Sequence, residues 1–464
     1  MEEQQQQQLL DACKDGKVDE VKQLLINPYV DLNCQDKEND DQTPLDFACR
    51  NGHIEVVKLL LNDERVDINK PNNDGWTPFW IACSNGHVEI VKLLLNYERV
   101  DINKVDNDSW TPFSVACWNG HIEIVKILLN DERVDINKAN KDGATPFLIG
   151  CYKGYIEIVK LLLNNQRVDI NKARDDGWTP FYIACEEGRI EIVKILLNYE
   201  RVDINKSMDN GATPFLIACL KGNIEIVKLL INNQRVDINE AKNEGVALLL
   251  SACLQGHIEI VKLLLNDQRI DINKGDDDGV TPFYIACMKG HIEIVKLLLN
   301  EERIDISQAT NDDFTPFLVA CYYGHIEIVQ SLLNDERVDT NKADKDGTTP
   351  FYAVCQQGHI DIVKLLLNDK RVDINKAEKH GATPFYIACE KGHIEIVKVL
   401  LYDQRVNINQ ADNYGKTPFY FACEEGHVKI VLLFLETSRG NFLYSLRDST
   451  KIKITKSNEK YQIE

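Results

Sequence analysis

Cysteine is the residue type in this sequence with the most obvious capacity for chemistry. The chain has 14 cysteines, and all but Cys34 occupy one position of a repeating pattern that runs from Cys13 to Cys423. Thiolates can act as nucleophiles or zinc ligands, and thiols can pair as disulfides. No C-x-x-C pair occurs, and neighbours on stacked helices would lie about 8–10 Å apart, beyond the roughly 7 Å that a disulfide spans. Their setting, as in "IAC", predicts buried packing residues.

Histidine forms a second column that could supply metal ligands or general bases. The same position also holds Tyr155, Arg189 and Asn223, and no acidic residue at a fixed short spacing would orient the imidazole. We therefore predict a structural role, with no catalytic residue, no metal and no cofactor. The histidines of the column are His53, His87, His121, His257, His291, His325, His359, His393 and His427.

The elements that position these columns repeat every 34 residues. Threonine-proline pairs such as Thr179-Pro180 predict a capped helix start, and Gly188 predicts its left-handed end. A second helix, "RIEIVKILLN", has a continuous apolar side, with Glu191 and Lys194 paired on its outer face. The polar remainder predicts an extended loop with a tight turn at its tip. One such repeat buries too little apolar surface alone, so the repeats must stack.

The pattern "DG-x-TPF-x-x-AC-x-x-GHIEIVKLLLN…VDIN" resembles the ankyrin repeat. The resemblance implies an all-α solenoid of about thirteen repeats, each a helix-turn-helix plus a hairpin-like loop, stacked into a curved superhelix. It covers residues 9–437, with a polar capping repeat at 9–33 and a degenerate repeat near 245–272, where Ala247-Leu248 replaces Thr-Pro. The period is one residue longer than the family's usual unit, and "TPF" replaces its "TPLH".

The regions outside the array are predicted from composition. Residues 1–8 form a glutamine-rich N-terminal tail, expected to be frayed or disordered, and residues 438–464 form a C-terminal tail. The last repeat helix contains "VLLFL" and is too apolar to face water, so we expect Phe442 to Leu446 of the tail to fold over it.

Composition limits the class of partner. The formal net charge is −20, and the acidic residues are spread along the chain. Nucleic-acid binding needs clusters of Lys and Arg, which the sequence lacks, so we expect no nucleic-acid partner. No secretory signal and no run of eighteen apolar residues is present, so we expect a cytoplasmic or nuclear monomer without membrane insertion.

Positions that vary between repeats are free to meet a partner, and the five tryptophans all lie in such positions. Trp and Tyr are enriched in interface hot spots. By resemblance, these positions line the concave face of ankyrin arrays. The sequence thus predicts a non-enzymatic interaction scaffold, with a regulatory subunit of another enzyme as the alternative and a cysteine-dependent enzyme as a remote one. The other open alternative is that each tryptophan only shields its own loop. We call the predicted partner-binding residues the aromatic strip: Trp76, Trp80, Trp110, Trp118, Tyr152, Trp178 and Tyr182.

Overall fold

The computed structural model describes residues 2–238 and 248–437, together with two short strands at 454–457 and 460–463. The chain divides into two compact blocks, Met1–Glu240 and Ala241–Glu464. We name each repeat after the residue at its threonine position, so that Trp76 and Trp80 belong to the Thr77 repeat.

Each described repeat folds into two short helices, which confirms the predicted all-α architecture. The N-terminal block contains α1 (Glu2–Asp15), α2 (Val18–Leu25), α3 (Pro44–Asn51), α4 (Ile54–Leu61), α5 (Pro78–Asn85), α6 (Val88–Leu95), α7 (Pro112–Asn119), α8 (Ile122–Leu129), α9 (Pro146–Lys153), α10 (Ile156–Leu163), α11 (Pro180–Glu186), α12 (Ile190–Leu197), α13 (Pro214–Leu220) and α14 (Ile224–Ile231). The C-terminal block contains α15 (Leu248–Gln255), α16 (Ile258–Leu265), α17 (Pro282–Lys289), α18 (Ile292–Leu299), α19 (Pro316–Tyr323), α20 (Ile326–Leu333), α21 (Pro350–Gln357), α22 (Ile360–Leu367), α23 (Pro384–Glu390), α24 (Ile394–Tyr402), α25 (Pro418–Glu424), α26 (Val428–Glu436), β1 (Ile454–Ser457) and β2 (Lys460–Ile463).

The start and end of the first helix follow the predicted capping chemistry. In the Thr111 repeat, the Thr111 hydroxyl accepts the Ser114 N–H at 3.0 Å, and Pro112 occupies the first helical position, where a missing N–H costs nothing. Gly120 ends the helix with φ of 77°, a left-handed conformation that a side chain would strain. Local sequence therefore fixes where each first helix begins and stops.

Apolar side chains of both helices build the core between repeats. Phe113 is fully buried in α7, and Ile124, Val125 and Leu128 are fully buried in α8. The outer face of α8 carries the predicted ion pair, with Lys126 Nζ 2.7 Å from Glu123. This exposed pair adds little stability, so stacking of the apolar faces holds the array together.

The loops between repeats end in tight turns that are hydrogen-bonded from one repeat to the next. The Asp106 N–H donates to the Trp110 carbonyl at 3.1 Å, which closes the turn, and the Asn107 N–H donates to the Asp74 carbonyl of the preceding turn at 3.0 Å. In the part of the loop that precedes this turn, the Asn103 side chain donates to the Arg133 carbonyl of the next loop at 2.8 Å and accepts the Asp135 N–H at 2.9 Å. These bonds hold successive turns in a fixed register.

The Thr43 repeat carries a buried carboxylate where other repeats have Trp80, Ser114 or Leu148. Asp46 is fully buried and forms a capping box, because its Oδ2 accepts the Thr43 N–H at 2.8 Å and its own N–H donates to the Thr43 hydroxyl at 3.1 Å. Burial raises the pKa of Asp46 to about 7 against the opposing effect of these bonds.

This raised pKa predicts a pH-dependent stability. The folded state keeps a proton on Asp46 that an unfolded aspartate loses above about pH 4, so the stabilising effect is complete below pH 4 and is lost as the pH rises to about 7. We expect the free energy of unfolding to fall by on the order of 2–4 kcal/mol across this window relative to Asp46→Ser, which copies Ser114. Urea titrations followed by tryptophan fluorescence measure both proteins; parallel pH curves would contradict the assignment.

The ends of the array differ in part from expectation. Helix α1 starts at Glu2 and runs through the glutamine tract that was expected to be frayed, and Gln5 accepts a hydrogen bond from the Asn27 amide at 3.1 Å. At the other end, β1 and β2 pair antiparallel from Ile454 with Ile463 to Ser457 with Lys460, and the backbone of β2 lies beside α26. The expected cover, Phe442 to Leu446, and the degenerate helix start at Ala247 lie outside the described residues.

Candidate functional site

The first helices and turns of four successive repeats place the aromatic strip on one side of the N-terminal block. Trp76 and Trp80 stack with ring centroids 4.7 Å apart and planes 4° from parallel. The Trp80 ring is only 6% exposed, and its indole N–H donates to the Trp110 carbonyl at 3.1 Å. Trp80 therefore forms the floor of the strip, and half-buried Trp76 covers it.

Trp118 lies at the centre of the strip. Its ring meets Trp110 edge to face at 5.2 Å and stacks on Tyr152 of the next repeat at 6.1 Å. Lys153 Nζ lies 3.4 Å from the centroid of the Trp118 ring, which is cation–π geometry. Trp110 and Trp118 are half-buried and Tyr152 is 36% exposed, so this part of the strip faces solvent.

The far end of the strip repeats the arrangement of a covering tryptophan over a buried ring. Trp178 lies 5.8 Å from Tyr182, and the Arg174 guanidinium lies 4.6 Å from the Trp178 ring centroid. Tyr182 is only 3% exposed, and burial is the main cause that raises its pKa. The phenol is thus part of the core, and Trp178 presents the accessible surface.

Two open grooves run between these rings. The first has a volume of about 410 Å³ and the second about 350 Å³; Trp110 and Trp118 line both. Trp76 and Trp80 complete the first groove, and Tyr152, Arg174 and Trp178 complete the second. The seven predicted residues are therefore brought together as one strip, with Trp80 and Tyr182 buried beneath it.

Sequence comparison between repeats missed the carboxylates of these grooves. Asp74, Asp106 and Asp108 line the first groove, and Asp142 and Glu187 line the second. Asp106 Oδ1 accepts the N–H groups of Asp108 and Trp110 at 2.9 and 2.8 Å, and desolvation by burial is the main cause that raises its pKa. A signal for Asp106 was available in the sequence. The same turn position holds Asn72 and Asn140 in the neighbouring repeats, so Asp106 is the one of these three residues that carries a charge.

The cysteine column is buried, as its packing role predicted. All 14 cysteines are unpaired thiols and buried. Burial raises the pKa of the Cys117 thiol well above its usual value, and it raises the pKa of Cys423, in the last repeat, to about 11. A thiol in such a site stays protonated near neutral pH and is a poor nucleophile.

We therefore expect the native protein to resist thiol reagents. At pH 7.5, Ellman's reagent should label fewer than about one thiol per chain, and nearly all of them in denaturant, because thiolates form only after exposure. Cys423 is expected to react first at higher pH, since burial raises the pKa of each of the other thirteen thiols further. One rapidly labelled cysteine in the native protein would contradict the packing role.

The histidine column links consecutive repeats. His121 Nε2 lies 2.8 Å from the Ser84 carbonyl of the preceding repeat, and its ring packs on Gly86, where a Cβ would approach the ring to 2.7 Å. Two of the three substitutes keep such a bond: Arg189 Nε donates to the Tyr152 carbonyl at 3.0 Å and the Asn223 amide to the Glu186 carbonyl at 3.1 Å. Imidazole in this column thus acts as a hydrogen-bond donor between repeats, whereas Tyr155 packs its ring against Gly120, where a Cβ would approach it to 3.0 Å.

Comparison with known families agrees with this architecture. A family profile described as "Ankyrin repeats (3 copies)" matches residues 64–140, 115–208, 200–276, 249–344, 336–412 and 371–442, and one described as "Ankyrin repeats (many copies)" matches residues 25–82. The chain belongs to the ankyrin repeat family. Ankyrin repeats are generally protein-interaction modules. A search of curated proteins finds no match.

The described part of the ankyrin array has neither a helix suited to cross a membrane nor a cluster of metal-binding side chains. Within residues 2–238 and 248–437, no helix is long and apolar enough to cross a membrane. In the same part of the chain, no three His, Cys, Asp or Glu side chains come together in a group that could hold a metal ion.

Proposed function

We propose that this ankyrin repeat protein is a non-enzymatic scaffold that binds a protein partner through the aromatic strip, on the face built by its first helices and turns. The observation that carries the proposal is the continuity of the strip. Trp110 and Trp118 line both grooves, so one accessible surface runs from Trp76 to Trp178.

The exposure of the individual rings favours binding over simple shielding. Trp80 and Tyr182 already fill the space below the strip, at 6% and 3% exposure. Trp76, Trp110, Trp118 and Trp178 remain half-buried above it. Aromatic rings that keep an accessible face and stand in a shaped groove have the properties of interface anchors.

A site-specific photocrosslink tests this proposal. We place p-benzoylphenylalanine at Asp142, an exposed residue that lines the second groove, and in a matched variant at Glu123, exposed on the outer face of α8. In extract of the native cells, we expect the first variant to crosslink a discrete partner and the second to leave it unlabelled. Equal crosslinking from both positions, or from Glu123 alone, would contradict partner binding at the strip.

The identity of the crosslinked partner decides between the two roles. If the partner is an enzyme, its rate measured with and without this protein distinguishes a regulatory subunit from a passive scaffold. We also propose that the protein acts as a monomer in the cytoplasm or nucleus. Light scattering and imaging of the tagged chain measure these two properties.

A further inference from the structure

The first groove combines tryptophan faces with carboxylates. Asp74, Asp106 and Asp108 line it together with four tryptophans, and no Lys or Arg is among its lining residues. Asp108 forms an exposed ion pair with Lys141 at 3.4 Å. Lys141 itself is not among the residues that line the groove. The groove therefore combines indole surfaces with carboxylates and has no cation of its own among the residues that line it.

The chain's own cations show what these aromatic faces attract. Lys153 Nζ lies 3.4 Å from the Trp118 ring centroid, Arg174 lies 4.6 Å from Trp178, and Arg50 lies 5.9 Å from Trp76. Each is an intramolecular cation–π contact. In the second groove, Arg174 is itself a lining residue, whereas in the first groove the corresponding position holds Asp106.

Given the proposed function, we propose that the first groove takes an arginine side chain from an extended basic segment of the partner. A guanidinium is planar, so it can lie against an indole face while its edge donates to a carboxylate. Asp106 and Asp74 supply that carboxylate, and the formal charge of −20 favours approach of a basic segment.

Asp106 offers a variant that removes charge and keeps the turn. In the neighbouring repeats, Asn72 accepts the N–H groups of Asp74 and Trp76, and Asn140 accepts those of Asp142 and Ala144, the same two bonds that Asp106 makes. Asp106→Asn therefore tests the charge with the turn intact. Asp74→Asn is a second variant, at an exposed side chain.

Asp276 provides the matched control in the C-terminal block. Its Oδ1 accepts the N–H groups of Asp278 and Val280 at 3.1 and 2.8 Å, as Asp106 does for its own turn. Asp276→Asn removes one charge from an equivalent turn and leaves the aromatic strip untouched. It controls for net charge and for the turn itself.

The probe is the peptide acetyl-Gly-Ala-Arg-Ala-Gly-amide, with citrulline in place of arginine as its neutral counterpart. We label the full-length protein with 5-fluorotryptophan and titrate each peptide by ¹⁹F NMR. We expect the arginine peptide to bind at least about fivefold more tightly than the citrulline peptide and to shift the Trp76 and Trp110 resonances. Asp106→Asn and Asp74→Asn should each remove most of this preference, and Asp276→Asn should keep it.

Equal binding of the two peptides would overturn the inference, as would unchanged preference in both groove variants. A lysine peptide that binds as tightly as the arginine peptide would overturn the choice of arginine. Failure here is separable from failure of the proposed function. A partner that crosslinks at Asp142 but is insensitive to Asp106→Asn and Asp74→Asn would refute the arginine site and leave the scaffold role in place.

Discussion

Replacing Trp118 by serine is expected to weaken binding of the partner by about 10- to 100-fold, which corresponds to roughly 1.4–2.8 kcal/mol. The ring lines both grooves and contacts Trp110, Tyr152 and Lys153, so its loss opens the centre of the strip. The repeat itself tolerates serine, because Ser84 occupies the same position one repeat earlier. Affinity of the purified variant for the crosslinked partner measures the effect.

The control for this variant lies in the same column of the C-terminal block. Tyr322→Ser makes the same kind of change at a half-buried aromatic residue outside the strip. We expect this variant to bind the partner as the wild type does, and both variants to keep the wild-type urea midpoint within a few tenths molar. A Trp118→Ser protein that is folded and binds normally would contradict the role of the strip.

Replacing Phe113 by alanine has the largest expected effect on stability. Phe113 is fully buried in α7, and truncation of a buried phenylalanine costs about 3–5 kcal/mol through lost burial and a residual cavity. The loss should appear as a lower urea midpoint in tryptophan fluorescence. The five tryptophans all lie in the Thr77, Thr111 and Thr179 repeats, so the signal reports on this part of the array.

A natural replacement in the same column provides the comparison for Phe113. Leu45 occupies this position in the Thr43 repeat and is 1% exposed. Phe113→Leu should therefore cost less than about 1.5–2 kcal/mol, well below the alanine variant. Equal loss in both variants, or none in either, would show that this column does not carry the stacking energy.

The fold could be predicted because its determinants are local and repeated. Thr111 and Gly120 act within a few residues of the helix ends they define, so the sequence pattern contains the whole interaction. The partners of the histidine column could not be predicted in the same way. His121 bonds to Ser84, 37 residues away along the chain, and that contact follows only from how two repeats stack.

The sequence predicts the candidate site less completely than the fold, because it does not show which of the variable side chains are buried by packing. Variation between repeats predicts exposure, yet Trp80 and Tyr182 vary and are buried. In the Thr77 repeat the residue of their column lies beneath the variable residue before threonine, as the parallel stack of Trp76 on Trp80 shows. The carboxylates were missed because Asp106 also serves as a turn residue, and composition alone gives no reason to expect a second role.

The N-terminal glutamine tract shows the limit of composition as a guide. Low complexity predicted a frayed tail, whereas α1 includes the tract and packs against α3. Glutamine is a good helix former, and a helix with one apolar side gains stability once that side is covered. Leu9 and Leu10, at 0% and 4% exposure, supply that buried side.

The most direct test of the strip uses its own tryptophans. All five lie in the strip, so a 5-fluorotryptophan-labelled protein gives five ¹⁹F resonances that report only on this surface. On addition of the unlabelled crosslinked partner, we predict shifts for Trp76, Trp110, Trp118 and Trp178, and a smaller one for buried Trp80. A partner that binds with all five resonances unmoved would contradict the account.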